Sequence, residues 1–162
     1  MTDTPPSAGF DLQDLIDAIA QATAEDRLPL QLSPAQWQSL APYLRPLALA
    51  DGQVLFKQGA ADRTLYLIER GSLGVHLRDT QGELRLAVLG AGSAVGEGSF
   101  FARAPRSATV QASEPARLWG LSPRRFAALS EQQPALALAV AMAAGAVVTY
   151  RMVNRRRFDA VT

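Results

Sequence analysis

The chain has 162 residues, of which 48% are hydrophobic and 19% charged, and its formal net charge is +1. These values predict one globular domain with a hydrophobic core. They exclude a disordered chain and a chain whose overall charge steers it toward nucleic acid or a membrane surface. The absence of cysteine excludes a disulfide scaffold, a thiol nucleophile and a thiolate metal site, and it is consistent with a cytoplasmic protein.

The N-terminal part predicts a tail and two helices. Residues 1–9 are polar, lack the basic start and apolar run of a secretory signal, and are predicted to be a disordered tail. Leucine and isoleucine at positions 12, 15, 16 and 19 have the spacing of an amphipathic helix over 10–25, with a linker over 27–32. Ser33, Pro34 and Gln36 form a capping-box start for a second helix that ends near Pro42.

Short apolar segments alternate with glycine turns between residues 51 and 121. Six of them read as strands: 53–56, 64–69, 72–78, 83–89, 107–112 and 117–121. Strands this short and evenly spaced predict a mainly β fold with flanking helices, namely an eight-stranded antiparallel jelly-roll barrel. Period-two alternation predicts that Leu84, Leu86 and Val88 share one face of their strand.

Two helices are predicted after the strands. Ser122 and Pro123 open the first of them, and Pro134 starts a long C-terminal helix that reaches about Asn154. Its apolar stretch over 135–148 is shorter than the roughly 20 residues that a bilayer requires. Because this stretch is apolar nearly all round, it predicts a helix that is buried or faces a partner. Three arginines at 155–157 and a short tail over 158–162 follow.

The most informative segment is 95–110, VGEGSFFARAPRSATV, which lies between two predicted strands. It resembles the phosphate-binding cassette of cyclic nucleotide-binding domains, whose pattern is a Gly-Glu pair, a short helical turn, and then Pro-Arg-small-Ala-Thr-Val. The glycine turns in 56–60 (FKQGA), 68–72 (IERGS) and 89–92 (LGAG) resemble the same family, so that the resemblance covers roughly 38–154. It implies a binding domain over 33–157, preceded by the N-terminal helix and linker over 10–32.

The chemistry of the cassette residues agrees with that resemblance. A guanidinium binds two phosphate oxygens at once and is always charged, which makes Arg106 the candidate for the cyclic phosphate. A carboxylate accepts a hydrogen bond from a ribose 2′-hydroxyl, which makes Glu97 the candidate for the ribose, and Gly96 lets the backbone turn close to the ligand. Ser107 adds a hydroxyl donor. Backbone N–H groups at the start of a short helix are expected to face the phosphate, namely those of Gly98, Ser99 and Phe100.

Other site features follow from the resemblance alone. It implies that Val75 and Leu86 line the pocket of the base. Gly98 and Phe100 depart from the aliphatic residues that the family often has after the glutamate, and Gly98 weakens the short helix by about 1 kcal/mol relative to alanine. A residue of the C-terminal helix could cover the base, and the sequence leaves three candidates open: Tyr150, Arg151 and Asn154.

Three functions are compatible with this pattern. The favoured one is a sensor of a cyclic mononucleotide that signals through movement of the C-terminal helix to a protein partner. The second is a structural or interaction subunit that binds no ligand, in which Glu97 and Arg106 form an ion pair with each other. The third is a fragment of a catabolite-activator-type transcription factor, but only about eight residues follow Asn154, too few for a helix-turn-helix, so no DNA binding is expected.

The ligand, the partners and the source are expectations of the same kind. cAMP is favoured over cGMP, since Ser107 is a weak signal for cGMP, and a cyclic dinucleotide is a third choice. A homodimer through the C-terminal helix is expected, as is a partner that meets the N-terminal or C-terminal helix. No catalytic residue, metal site, cofactor or membrane contact is expected, and His76, the one histidine, is predicted to face solvent. The composition, rich in alanine and arginine, indicates a bacterium with a GC-rich genome.

Overall fold

The computed structural model describes the backbone of residues 9–159 and the side chains of residues 9–154. Two helices, α1 (Leu12–Gln21) and α2 (Pro34–Leu40), precede the strands, and two more, α4 (Pro123–Gln132) and α5 (Pro134–Asp159), follow them. The strands are β1 (Arg45–Leu49), β2 (Val54–Phe56), β3 (Leu65–Arg70), β4 (Leu73–Asp79), β5 (Gly82–Leu89), β6 (Ala94–Val95), β7 (Thr109–Ala112) and β8 (Ala116–Leu121). A short helix, α3 (Glu97–Ala102), lies between β6 and β7.

The eight strands form two four-stranded antiparallel sheets, in the orders β1-β8-β3-β6 and β2-β7-β4-β5. Side chains from both sheets fill the space between them, among them Leu49, Ile68, Leu73, Val110 and Leu118. The jelly-roll prediction is therefore confirmed, including the helices on either side of the strands.

Two strands were not predicted, β1 and β6. β1 contains Pro46, which cannot donate a ladder hydrogen bond and is tolerated because β1 lies at the edge of its sheet. β6 has two residues, too few to show an alternation in the sequence. Pattern analysis finds long alternating strands and misses an edge strand that holds a proline.

A β-bulge changes the predicted faces of β5. The register between β4 and β5 shifts between Val75 and His76, whose partners are Ala87 and Arg85, and this leaves Leu86 as the extra residue. Leu86 is half-buried, whereas the side chains of Leu84 and Val88 are exposed. The prediction that these three residues share one face is wrong, because a bulge interrupts the period of two. His76 lies next to Glu83, with 3.7 Å between Nδ1 and Oε1, and its side chain is a quarter exposed.

A second hydrophobic core lies between the helices and the outer face of the β1-β8-β3-β6 sheet. Leu15 and Ile19 of α1 pack there with Leu129 of α4 and with Val140 and Ala144 of α5. The helix α1 is shorter than the predicted 10–25 and begins after Asp11, whose side chain accepts a hydrogen bond from the Gln13 N–H. Its apolar face is thus used within the chain, on the same core as the C-terminal helices.

The segment before α1 is attached to the same sheet. The ring of Phe10 meets Trp119 edge to face at 5.7 Å, and the Arg117 guanidinium lies 4.0 Å from the centre of the Phe10 ring. The buried carboxylate of Glu69 accepts a hydrogen bond from the Trp119 indole at 2.8 Å and lies 3.3 Å from Arg117 Nε. Arg117 Nη2 also donates to the carbonyl of Gly9, and residues 1–8 of the predicted tail lie outside the described residues.

The helix α5 is longer than predicted and continues past Asn154 to Asp159. Its stretch Pro134–Asn154 has a mean hydropathy of 1.8 over its most apolar window, which by length and composition alone suffices for a membrane span. A core helix of a soluble protein has the same properties, and one face of α5 does pack in a core. The opposite face exposes Leu138, Met142, Met152 and Val153. Residues 160–162 of the predicted C-terminal tail lie outside the described residues.

Candidate functional site

The cassette between β6 and β7 is shaped by two left-handed residues around α3. Gly96 precedes the helix with φ of 84°, and Arg103 ends it with φ of 53°. A Cβ atom on Gly96 would lie 2.5 Å from Arg106 Nη1 and 2.8 Å from the Thr64 carbonyl oxygen. Glycine is therefore required at position 96 both by the backbone angle and by the close approach of Arg106.

Arg106 is buried, with 3% of its surface exposed, and its guanidinium is held on several sides. Nη1 donates to Ser99 Oγ at 2.6 Å and to the Gly96 carbonyl at 3.0 Å. Nη2 donates to Asp62 Oδ2 and to the Thr64 carbonyl, both at 2.7 Å. The guanidinium carbon lies 3.9 Å above the ring centre of Phe56. These contacts fix the plane and the position of the cation.

One donor of Arg106 is left over. Its Nε–H is buried and has no hydrogen-bond partner within the described part of the chain. Because a buried donor without a partner costs about 1–3 kcal/mol, such groups in native proteins call for an explanation. An anionic oxygen that accepts from Nε would supply the missing bond.

Asp62 was not predicted as part of this site. Its Oδ1 accepts hydrogen bonds from the Thr64 N–H at 3.2 Å and the Thr64 hydroxyl at 2.8 Å, while Oδ2 pairs with Arg106. Burial raises the pKa of the Asp62 carboxyl, but the hydrogen bonds from Arg106 and Thr64 and the guanidinium charge outweigh it, so that the pKa lies below its ordinary value of 3.8. Burial, followed by the Asp62 charge, raises the pKa of the nearby Tyr66.

Glu97 is the first residue of α3, and its side chain is 17% exposed. Its Oε1 lies 2.8 Å from Nη1 of Arg151, a residue of α5. Of the three residues left open as a cover for the base, Arg151 contacts the cassette through Glu97. Tyr150 donates its hydroxyl to a Glu25 carboxylate oxygen, and Asn154 donates to the Tyr150 carbonyl. Glu97 and Arg106 thus have separate ionic partners and do not form the ion pair considered from the sequence.

The remaining predicted site residues differ in position. Ser99 is buried and accepts the hydrogen bond from Arg106, whereas Ser107 is exposed. Of the three backbone N–H groups expected to face the phosphate, that of Phe100 is used inside α3, where it donates to the Gly96 carbonyl. A Cβ atom on Gly98 would meet no atom within 4 Å.

The two residues predicted for the base pocket lie on neighbouring strands. Val75 of β4 is half-buried against the core between the sheets, and Leu86 is the bulged residue of β5 beside it. Ala87, the strand partner of Val75, packs against the same core, and Leu86 next to it is half-buried.

Comparison with known proteins identifies the family of the chain. Residues 46–133, more than half of the chain, match the family model of the cyclic nucleotide-binding domain. An acetyltransferase Pat from Mycolicibacterium smegmatis is 38% identical over 86 residues, which is 53% of this chain and 26% of that protein. The cAMP-dependent protein kinase regulatory subunit of Blastocladiella emersonii is 31% identical over 91 residues, 56% of this chain and 23% of that protein. The chain therefore spans about a quarter of the length of these two relatives.

Solved structures give the same result for the fold. A cyclic nucleotide-binding domain from Methylobacillus flagellatus superposes with a TM-score of 0.81 at 24% identity, covering 93% of this chain and 84% of that one. The catabolite activator protein of Thermus thermophilus gives a TM-score of 0.69 at 27% identity, covering 80% of this chain and 60% of that one. With the family match over 46–133, these likenesses show that the chain belongs to the cyclic nucleotide-binding domain family, whose members are regulatory ligand-binding domains.

Proposed function

We propose that this chain is a sensor of a cyclic mononucleotide, with cAMP as the preferred ligand, and that it regulates a protein partner without being an enzyme itself. The observation that carries the proposal is the buried guanidinium of Arg106. Its two Nη atoms donate four hydrogen bonds, and its Nε–H has no partner among the described residues. The name of the regulatory-subunit relative, which is cAMP-dependent, supports cAMP. The cysteine-free sequence is consistent with action in the cytoplasm.

We assign each part of the ligand to residues of the site. The cyclic phosphate would accept from Arg106 Nε and from the exposed Ser107 hydroxyl. The ribose 2′-hydroxyl would donate to the Glu97 oxygen that Arg151 leaves unused. The base would lie against Val75 and Leu86. A phosphate that pairs with Arg106 forms a charge-assisted bond, which is roughly twice as strong as a neutral one.

The helix α5 is the proposed output element. Phe100 of α3 contacts Phe126 of α4 at 5.2 Å between ring centres, and Leu129 of α4 is buried against α5. A ligand that moves α3 would therefore repack α4 and shift α5. It does so only if it binds the two arrangements with different affinity.

The exposed face of α5 is the proposed surface between two copies of the chain. Leu138 and Met142 are 62% and 68% exposed and lie one helical turn apart, so they form part of one apolar stripe. The apolar face of α1 is already packed against the sheet, so α5 is the better candidate of the two helices proposed to meet a partner.

Calorimetric titration with cAMP and with cGMP tests the proposed function. We expect cAMP to bind more tightly, and Arg106→Ala to weaken binding by roughly 30-fold or more, because it removes a charge-assisted contact worth about 2 kcal/mol. Arg106→Lys keeps the charge but loses the planar fork, and should weaken binding to a smaller extent. Arg124→Ala, on the exposed side of α4, should bind as the wild type does.

A second candidate function has one observation in its favour. Both charged site residues already have ionic partners, Arg106 with Asp62 and Glu97 with Arg151. This arrangement would suit an interaction subunit that binds no nucleotide. If cAMP and cGMP produce neither heat on titration nor a thermal shift, the sensor proposal is contradicted and this alternative is supported. Tighter binding of cGMP would keep the sensor and reverse the choice of ligand.

A further inference from the structure

Arg151 bridges two carboxylates that lie far apart in the sequence. Its Nη1 is 2.8 Å from Glu97 Oε1, while its Nη2 and Nε donate to Asp26 Oδ2 at 3.0 and 3.2 Å. About four-fifths of each of the three side chains is buried, with exposed fractions of 21%, 17% and 24% for Arg151, Glu97 and Asp26. Isolated ion pairs on a protein surface contribute little to stability. This bridge is largely shielded from solvent, and Arg151 is joined to Asp26 by two charge-assisted hydrogen bonds.

Asp26 is held in place by the residues just before the cassette. Ser93 Oγ donates to the Asp26 carbonyl at 3.0 Å, and the Leu28 N–H donates to the Gly92 carbonyl at 2.9 Å. Leu28 and Leu30 are buried. The segment 26–30 is therefore seated on the turn that leads into β6 and Glu97. Both Asp26 and Arg151 lie outside the 46–133 region that matches the family model.

The bridge leaves half of the Glu97 carboxylate available. Oε1 faces Arg151, and Oε2 has no hydrogen bond to any residue that the structure describes. A carboxylate that is anchored through one oxygen has a fixed orientation, so the other oxygen presents its lone pairs in a defined direction. A carboxylate without such an anchor rotates among rotamers and loses part of its bond energy as entropy.

We propose that Arg151 is the positioning residue for Glu97, which it holds so that Oε2 receives the ribose 2′-hydroxyl, and that its bond to Asp26 ties this recognition to the N-terminal segment 26–30. The inference rests on the proposed function, because it assigns a role within the same site. It makes ribose discrimination depend on two residues that do not touch the ribose.

The test compares cAMP with 2′-deoxy-cAMP by calorimetry, using the wild type, Arg151→Met, Arg151→Lys and Asp26→Asn. We expect the wild type to bind cAMP at least about tenfold more tightly than the deoxy analogue, because that analogue cannot bond to the charged Glu97. Arg151→Met should reduce this ratio to less than about threefold and leave the affinity for the deoxy analogue nearly unchanged. Arg151→Lys and Asp26→Asn should give intermediate ratios, since each keeps one half of the bridge.

A second measurement does not depend on affinity. Hydrogen exchange of the Leu28 and Leu30 amides should slow when cAMP binds the wild type, should slow less with the deoxy analogue, and should not respond to cAMP in Arg151→Met. Arg124→Met removes an exposed arginine from α4 and should behave as the wild type in both measurements.

Two outcomes would overturn the inference in distinguishable ways. If the wild type binds cAMP while folded Arg151→Met keeps the full preference over the deoxy analogue, the role of Arg151 is wrong and the sensor remains. If the folded wild type binds neither nucleotide, the proposed function is wrong, and the role of Arg151 that depends on it is wrong as well. If Arg151→Met does not fold, the ratio measured with Arg151→Lys decides, and an unchanged ratio there overturns the role.

Discussion

At the scale of single residues, the site is organised by what surrounds the Arg106 guanidinium. Two carbonyls, a serine hydroxyl and the Asp62 carboxylate hold it, and a glycine makes room for it. Gly96, Glu97 and Arg106 could be proposed together from the sequence because they stand close together in one motif. Asp62 could not, because it is 44 residues from Arg106 and only folding brings the two together.

Two glycines of the cassette, Gly96 and Gly98, should respond differently to substitution by alanine, so that one variant is the control for the other. Gly96→Ala places a Cβ atom 2.5 Å from Arg106 at a φ of 84°, so we expect a loss of stability of about 1–3 kcal/mol and weaker nucleotide binding. Gly98→Ala meets no atom within 4 Å and should stabilise α3 by up to about 1 kcal/mol. Urea unfolding of both variants measures the difference, and equal effects would contradict this account of the two positions.

The lowered pKa of the Asp62 carboxyl leads us to expect that the stability of the protein depends on pH. The pKa of Asp62 in the folded protein lies below the ordinary 3.8. The ionised carboxylate therefore stabilises the fold above pH 3.8, and this stabilisation is lost as the pH falls through the lower pKa of the folded protein. Asp62→Asn should therefore be less stable than the wild type near neutral pH, and the difference should shrink below about pH 4. Urea midpoints across this range measure it. A difference that stays constant down to pH 3 would show that the charge of Asp62 is not the cause.

At the scale of elements, the pattern of the sequence predicted the strands that alternate and the helices that are capped. Ser33 and Pro34 begin α2, and Ser122 and Pro123 begin α4, as the capping signals indicate. The two missed strands and the wrong face assignment in β5 have local causes. These are the proline in the edge strand β1, the two-residue length of β6, and the bulge at Leu86, which hydrophobic periodicity does not predict. Contacts between elements, such as the one that joins α3 to α5 through Arg151, are absent from such patterns.

The exposed stripe of α5 leads to a prediction about self-association. If two copies pair along this helix, the double substitution of Leu138 and Met142 by glutamine should convert a dimer into a monomer, because it removes apolar area from the centre of the interface. Light scattering coupled to size-exclusion chromatography measures the mass. Leu84→Gln removes a leucine from β5 that is 53% exposed, against 62% for Leu138, and should leave the mass unchanged. A wild type that is monomeric at high concentration would contradict the pairing.

At the scale of the whole molecule, two cores share one sheet. The first lies between the two sheets, and the second lies between the β1-β8-β3-β6 sheet and the helices. The cassette sits where both meet, since Val95 belongs to the first core and Phe100 packs against the second. Phe100 thus connects the cassette to the helices by direct side-chain contact, which is the route along which we propose that ligand binding moves them.

The bridge at Arg151 can form only late in the synthesis of the chain. Asp26 and Arg151 are 125 residues apart, so a chain growing on the ribosome releases the segment 26–30 long before its cationic partner exists. Closing a loop of this length is among the slow, entropically costly steps of folding. The carboxylate proposed to recognise ribose thus obtains its anchor only when α5 is made. A nascent chain that still lacks α5 should accordingly distinguish poorly between ribose and deoxyribose ligands.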